Sequence, residues 1–299
     1  MADKSYDVII IGGSAAGLSA ALTLARALRQ VLIIDCGTPC NMQTPRSHNF
    51  FTQDGNTPAA ILDQAKEQVL SYPNVTFLHD KVVQAQSIDD AFAVETESGE
   101  TFDSKKILLC TGLSDQKPDI SGFAECWGIT VLHCPYCHGY EVRNEPTAIF
   151  ANGEAAYHLG VLINNWTKNI TVLTNGTSEL RNEEMEKLTE LGITVIDNEI
   201  EAFENDNGRL STVRFKDGSS FDVGVVYASI PFQQQSSLAE ELGCKISSHG
   251  HVDVDTEQRT SIQGVYAAGD NTAQQRAISV AAASGTKAGF TINIDLILK

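Results

Sequence analysis

The densest chemistry in this 299-residue chain lies in His133-Cys134-Pro135-Tyr136-Cys137-His138-Gly139-Tyr140-Glu141. C-x-x-C places two sulfurs within bonding reach and lets one thiolate be stabilised by the other and by a local helix end. Zinc is the structural alternative, but a closed four-ligand site ordinarily draws on another cysteine pair. The remaining cysteines, Cys36, Cys40, Cys110, Cys126 and Cys244, contain no second C-x2-C, so His133 and His138 would have to complete the set. An inert buried pair is a third reading. The expectation carried forward is a redox-active dithiol with no metal. Thiol–disulfide exchange needs an acid or base beside the leaving sulfur. His138 directly follows Cys137 and belongs to the residue type that titrates near neutrality; the alternative is a half-exposed imidazole that only packs. His133 is a second candidate, and Glu141 could orient either ring. Cys36 and Cys40 are expected to pack rather than react.

A second constellation opens the chain. Gly12-Gly13-Ser14-Ala15-Ala16-Gly17 follows the apolar run Tyr6–Ile11, and Asp35 ends the next apolar run. Glycines at a strand-to-helix turn let the backbone approach a pyrophosphate at the helix N-terminus. An acid after the second strand accepts hydrogen bonds from ribose hydroxyls. Ser14 stands where a middle glycine would be, and it is still small. The residues therefore read as a dinucleotide site, with a tight structural turn as the alternative. Thr260–Asp270 ends in Tyr266-Ala267-Ala268-Gly269-Asp270. It resembles the second flavin motif of two-dinucleotide flavoproteins, in which the acid binds the ribityl chain of FAD. Without that role it is a buried strand ending in a solvated Asp.

The elements that must hold these groups follow from the pattern. Tyr6–Ile11 and Val31–Ile34 are continuous apolar runs, as in strands buried on both faces. An Ala- and Leu-rich helix is expected between them, from Leu18 to Leu28. The same βαβ unit returns at an offset of 139: Thr147–Phe150, a turn at Ala151-Asn152-Gly153, a helix through about Asn165, then Ile170–Leu173 and Thr174. Leu108–Gly112 closes the first stretch, Asp115–Gly122 reads as a linker, and a last helix begins near Gln274. The expected architecture is α/β: two Rossmann-like three-layer dinucleotide-binding domains, the second inserted into the first. Residues 1–112 and 246–299 would form one domain and 113–245 the insert, which carries the C-x-x-C.

Composition bounds the partners. The chain is 42% hydrophobic with a formal net charge of −17. That balance opposes nucleic-acid and anionic-membrane binding, and no run approaches the roughly 18 apolar residues of a membrane span. Seven cysteines are too few and odd in number for a secreted disulfide framework. Met1–Ser5 is polar and reads as no secretory leader. A cytoplasmic location is expected.

With GGSAAG near the start, CPYC in the insert and YAAGD before the last helix, the chain resembles the low-molecular-weight thioredoxin reductases along nearly its whole length. The resemblance implies FAD, a homodimer, and electrons passing between flavin, the cysteine pair and a partner disulfide. Cys137 would then face the flavin and Cys134 would exchange with the partner. His138 sits where the family usually has Asp, and Arg276, beside Ala277, replaces the usual Gln against the isoalloxazine ring. The resemblance also places Cys36, Asn41, His48, Val83, Thr111 and Gly112 at the cofactor. Asn41–Gly55 departs from ordinary thioredoxin reductases. It is more similar to the pyridine-nucleotide-independent members and the dithiol oxidases of the superfamily.

The donor site is where the pattern breaks. In the second turn Ala151 replaces the first glycine and crowds the approach to phosphate. NADPH needs cations after the second strand for its 2′-phosphate. The family has His-Arg-Arg and a later Arg; this chain has Thr174-Asn175-Gly176 and Leu180, with Arg181 one position off. NADPH use is therefore doubtful. The first expectation is a flavin-linked reductase of a thioredoxin-like protein with another donor, such as ferredoxin or reduced flavin. A dithiol oxidase acting on a small dithiol with oxygen is the second, an NADPH enzyme with a degenerate site the third, and a flavin-bound redox sensor the non-enzymatic alternative.

Overall fold

The computed structural model describes residues 5–298; the polar start read from Met1–Lys4 lies outside them. In chain order the elements begin with β1 (Ser5–Ile11), α1 (Ala15–Arg26), β2 (Val31–Asp35), α2 (Pro58–Leu70), β3 (Val75–His79), β4 (Val82–Ile88), β5 (Ala91–Thr96), β6 (Thr101–Leu109) and β7 (Leu113–Asp115). The middle of the chain supplies α3 (Phe123–Cys126), β8 (Val131–Leu132), α4 (Pro135–His138), β9 (Thr147–Phe150), α5 (Gly153–Ile163), β10 (Ile170–Leu173), α6 (Asn182–Glu190), β11 (Thr194–Ile196), β12 (Ile200–Asp206), β13 (Arg209–Phe215), β14 (Ser220–Asp222) and β15 (Val225–Ala228). The end supplies β16 (Phe232–Gln234), α7 (Leu238–Glu241), β17 (Val265–Ala267) and α8 (Ile278–Ile297).

Two compact units result. The first comprises residues 5–42, 58–114 and 232–298. Its sheet runs β3-β2-β1-β6-β5-β4, and β17 pairs with the distal half of β6. The strands from β3 to β6 and β17 are parallel, while β4 and β5 form an antiparallel extension. The apolar runs are continuous because both faces are covered. Ile9, Ile11, Leu32, Ile34, Ile107 and Leu109 enter one core; Val8, Ile10, Val31, Ile33 and Leu108 enter the other with α1 and α8. Each such side chain contributes on the order of 1.5–3 kcal/mol of burial. Helices α1 and α8 approach closely at glycine: a Cβ on Gly285 would lie 2.0 Å from Ala16 O.

The second unit comprises residues 43–57 and 115–231. Its five-stranded parallel sheet has the order β11-β10-β9-β15-β8, beside a three-stranded antiparallel sheet β12-β13-β14. Ile149, Val172, Tyr227 and Leu132 face α5 and α6. Ala148, Leu173 and Val226 face Phe123, Trp127 and Phe203.

The α/β class and the paired Rossmann-like units agree with the sequence expectation, down to β1 and β9 ending at Ile11 and Phe150. Several details differ. Residues 43–57 cluster with the second unit, and residues 232–245 with the first, because Leu238, Ala239 and Cys244 pack against Val82 and Ala85. Helix α1 begins three residues early and stops at Arg26, since Leu28 takes φ +63°. The last helix starts at Ile278, after an extended Ala277. The expected linker is tied down, with Phe203 N–H donating to Ser121 O. Cys36 and Cys40 follow the end of β2, with Cys36 Sγ 3.2 Å from Thr38 Oγ1 and Cys40 Sγ 3.8 Å from the Asp270 carboxylate.

Candidate active site

The dithiol lies on a single helical turn. Cys134 is the N-cap of α4 and Pro135 occupies its first position, where a missing N–H costs nothing. Cys137 N–H donates to Cys134 O at 3.2 Å. Both cysteines are partly buried, whereas burial pushes the thiols of Cys110, Cys126 and Cys244 upward and leaves them as inert apolar groups. The turn is buttressed by Trp166, which the sequence reading missed. A Cβ on Gly139 would lie 2.6 Å from Pro135 O and 2.8 Å from Trp166 Nε1. Trp166 also packs edge-on against Tyr136, with ring centroids 5.6 Å apart.

Imidazoles and carboxylates surround the pair. His138 is half-buried, and desolvation, reinforced by His48 and His133, pushes its pKa down to about 4. It is therefore neutral at pH 7 and able to accept a proton. His133 is exposed and 6.5 Å ring to ring from Trp127. His48 stands between two acids, with Nδ1 3.5 Å from Asp54 and Nε2 3.6 Å from Glu141. Glu141, expected beside His133 or His138, stands against His48. Among the described residues, no three His, Cys, Asp or Glu side chains stand together to hold a metal.

The first Gly-rich turn is a cradle that side chains would fill. Gly12 has φ +106°, and a Cβ there would lie 2.2 Å from Cys110 O; a Cβ on Gly17 would lie 1.9 Å from Gly12 O. Asp35 is fixed across the turn, accepting from Gly13 N–H at 2.8 Å and Gly37 N–H at 3.1 Å. Helix α1 begins at Ala15 with no side-chain cap from Ser14 and no acid in its first turn. Its positive end, along Ala15, Ala16 and Gly17, is thereby available for a pyrophosphate. At the same C-terminal edge of that sheet, Gly269 (φ +95°) leads into Asp270, and a Cβ on Gly269 would lie 3.0 Å from Ala16 Cβ. The Asp270 carboxylate is 3.7 Å from Arg276 Nε and 3.8 Å from Cys40 Sγ. These residues fit an FAD. Thr111 and Gly112 follow β6, Asn41 and Cys36 follow β2, and Ala277 caps α8. Val83 lies on β4 and is 44% exposed.

The second Gly-rich turn has the opposite character. Asn152 caps α5: its Oδ1 accepts from Gly153 N–H and from Glu179 N–H, both at 2.8 Å, and its Nδ2 donates to Thr177 O. A methyl on Gly153 would stand 3.7 Å from the Glu179 carboxylate. Glu154 occupies the first turn. After β10, Thr174 is buried and donates to Gly176 O, and Arg181 binds Glu184 as the cap of α6. The turn is thus closed by its own side chains and lined with acid.

Residues 6–286 match the family model of pyridine nucleotide-disulphide oxidoreductases. The chain belongs to that family of flavoprotein oxidoreductases, which act on sulfur groups. It is 32% identical to the thioredoxin reductase tcpT of Claviceps purpurea, over 97% of this chain and 94% of the relative. It is 29% identical to the thioredoxin reductase sirT of Leptosphaeria maculans, over 98% and 94%. Among solved structures it is similar to a thioredoxin reductase TrxB from Bacillus anthracis, with a TM-score of 0.93, 31% identity and 98% of each chain covered. No helix among the described residues is long and apolar enough to cross a membrane.

Proposed function

We propose that the first unit binds FAD and that the second presents Cys134 and Cys137 for exchange with a partner disulfide or dithiol, the electron donor being something other than NADPH bound at the second turn. FAD, when bound, supplies two-electron exchange with sulfur. Gly12, Gly13 and Gly17 bring backbone to its pyrophosphate, Asp35 takes a ribose, and Asp270 with Arg276 meets the flavin half. The Cys134 thiolate would attack the partner disulfide. Cys137 would then attack the Cys134 sulfur, releasing the partner as a dithiol and closing the Cys134–Cys137 disulfide, and neutral His138 would accept or return the thiol proton; the electron pair that reopens the disulfide would come from FAD. The thioredoxin reductase relatives favour a thioredoxin-type partner. An apolar stripe on α8, formed by Val280, Phe290, Ile294 and Ile297, supports a homodimer.

The observation that carries the donor assignment is the α5 N-terminus, where Asn152 already takes the Gly153 N–H and ties the turn to Glu179, whose carboxylate lies beside it. A dinucleotide phosphate there would meet negative charge instead of a helix dipole. Anaerobic titration tests this. The flavin stays yellow with NADPH or NADH at micromolar concentration and bleaches with a low-potential one-electron donor such as ferredoxin. Bleaching by micromolar NADPH overturns it.

A second reading, a dithiol oxidase using oxygen, is favoured by the exposed aromatics beside the pair. Tyr136 and Tyr140 are 64% and 68% exposed, and they could seat a small apolar dithiol. Peroxide released in step with dithiol consumption marks that reading.

A further inference from the structure

Tyr227 lies on β15, where every residue from Val225 to Ala228 is buried. It shares a core with Leu132, Ile149, Ala151 and Ala156. The residue is 2% exposed, and its Oη has no hydrogen-bond partner among the described residues. An unsatisfied buried hydroxyl is destabilising, and phenylalanine would occupy the same apolar space without that cost. The register shows what lies nearby. Tyr227 pairs with Leu132 on β8, and the chain reaches Cys134 two residues beyond Leu132. Burial, then the negative potentials of Cys134, Glu141 and Cys137, hold the phenol protonated. A neutral O–H donor with nothing to donate to therefore lies within the field of both sulfurs.

We propose that the Tyr227 hydroxyl is the hydrogen-bond donor that stabilises a thiolate of the Cys134–Cys137 dithiol. When one sulfur releases its proton, a small approach of the α4 turn to β15 brings the thiolate to the Oη–H, and the buried hydroxyl gains the partner it otherwise lacks. With no thiolate the hydroxyl stays unsatisfied, so its burial favours the charged sulfur over the neutral one. The other groups around the pair are His133 and His138 on its own segment, Glu141 just after it, and His48 with Asp54 from the 43–57 loop. None of them bonds to Oη. Tyr227 acts through the sulfur, as a positioning residue, and the proposal rests on the dithiol reading above.

The test is alkylation of the dithiol holoenzyme by iodoacetamide across pH, read at Cys134 and Cys137 by peptide mass spectrometry. In Tyr227→Phe the reactivity of one sulfur moves up by about one pH unit, so it is alkylated about tenfold more slowly near neutrality. The thermal midpoint stays level or rises, since a merely structural hydroxyl without a partner is no loss. An unchanged alkylation profile in folded Tyr227→Phe overturns the proposal. Should that variant not fold, the wild-type infrared difference spectrum decides. A tyrosine C–O band that shifts as the thiolate forms supports the proposal, and a band that does not move overturns it. Alkylation requires no turnover, so this failure leaves the oxidoreductase reading standing. A pair that is unreactive in the wild type overturns both.

Discussion

At the scale of single residues, the seven cysteines separate by environment rather than by spacing alone. Burial disfavours the thiolate at Cys110, Cys126 and Cys244, while Cys134 and Cys137 lie at a half-open helical turn among imidazoles. His138 carries the clearest consequence. Neutral at pH 7, it is able to accept a proton, and on the proposed exchange chemistry His138→Asn lowers disulfide turnover about a hundredfold while the flavin remains bound. Its pH signature has a definite sign. The folded value, about 4, lies below the ordinary 6.5, so the folded chain holds fewer protons than the unfolded one between those values. The stability that His138 permits is complete above about pH 6.5 and declines as pH falls toward 4. Thermal midpoints of wild type and His138→Asn converge above that window and separate within it, with the wild type losing more.

At the scale of elements, two copies of one βαβ unit have diverged at their turns. In the first, α1 begins without a side-chain cap and the glycines keep the backbone close; in the second, Asn152 and Glu179 close the same place. Gly17→Ala drives a methyl into Gly12 O, and the expected product is a colourless protein, checked by flavin absorbance after purification. Gly139→Ala pushes on Pro135 O and Trp166 instead. That variant keeps its flavin but loses about tenfold or more in disulfide turnover, because a small misplacement of reacting groups is costly.

At the scale of the whole molecule, the two units have separate sheets and cores, and the ends of the insert lie together. Gln235 N–H donates to Gly112 O in the first unit, and Gln116 N–H donates to Pro231 O in the second. Replacing residues 117–230 with a short Gly-Ser link is therefore expected to leave a first unit that folds, measured by cooperative thermal unfolding, and that still binds FAD. Loss of cooperative unfolding would show that the first unit needs the insert. The net charge of −17 bears on partners at this scale. It gives no long-range attraction to an acidic protein, so docking depends on the local surface around the dithiol.

The sequence by itself determined the α/β class and the paired βαβ units and singled out the Cys134–Cys137 pair, because doubly buried parallel strands and a C-x-x-C are local signals. It also marked the missing cations at Thr174-Asn175-Gly176. Tertiary structure decided the rest. The antiparallel strands β4–β5 and β12–β14 carry weaker local patterns than the buried parallel strands. Only packing of the 43–57 loop set His48 between Asp54 and Glu141. Trp166, Glu179 and Tyr227 went unnoticed because each comes from a distant part of the chain. The orphaned Tyr227 hydroxyl in particular exists only once β15 and β8 are in register, since whether a polar atom is satisfied depends on the neighbours that folding brings to it.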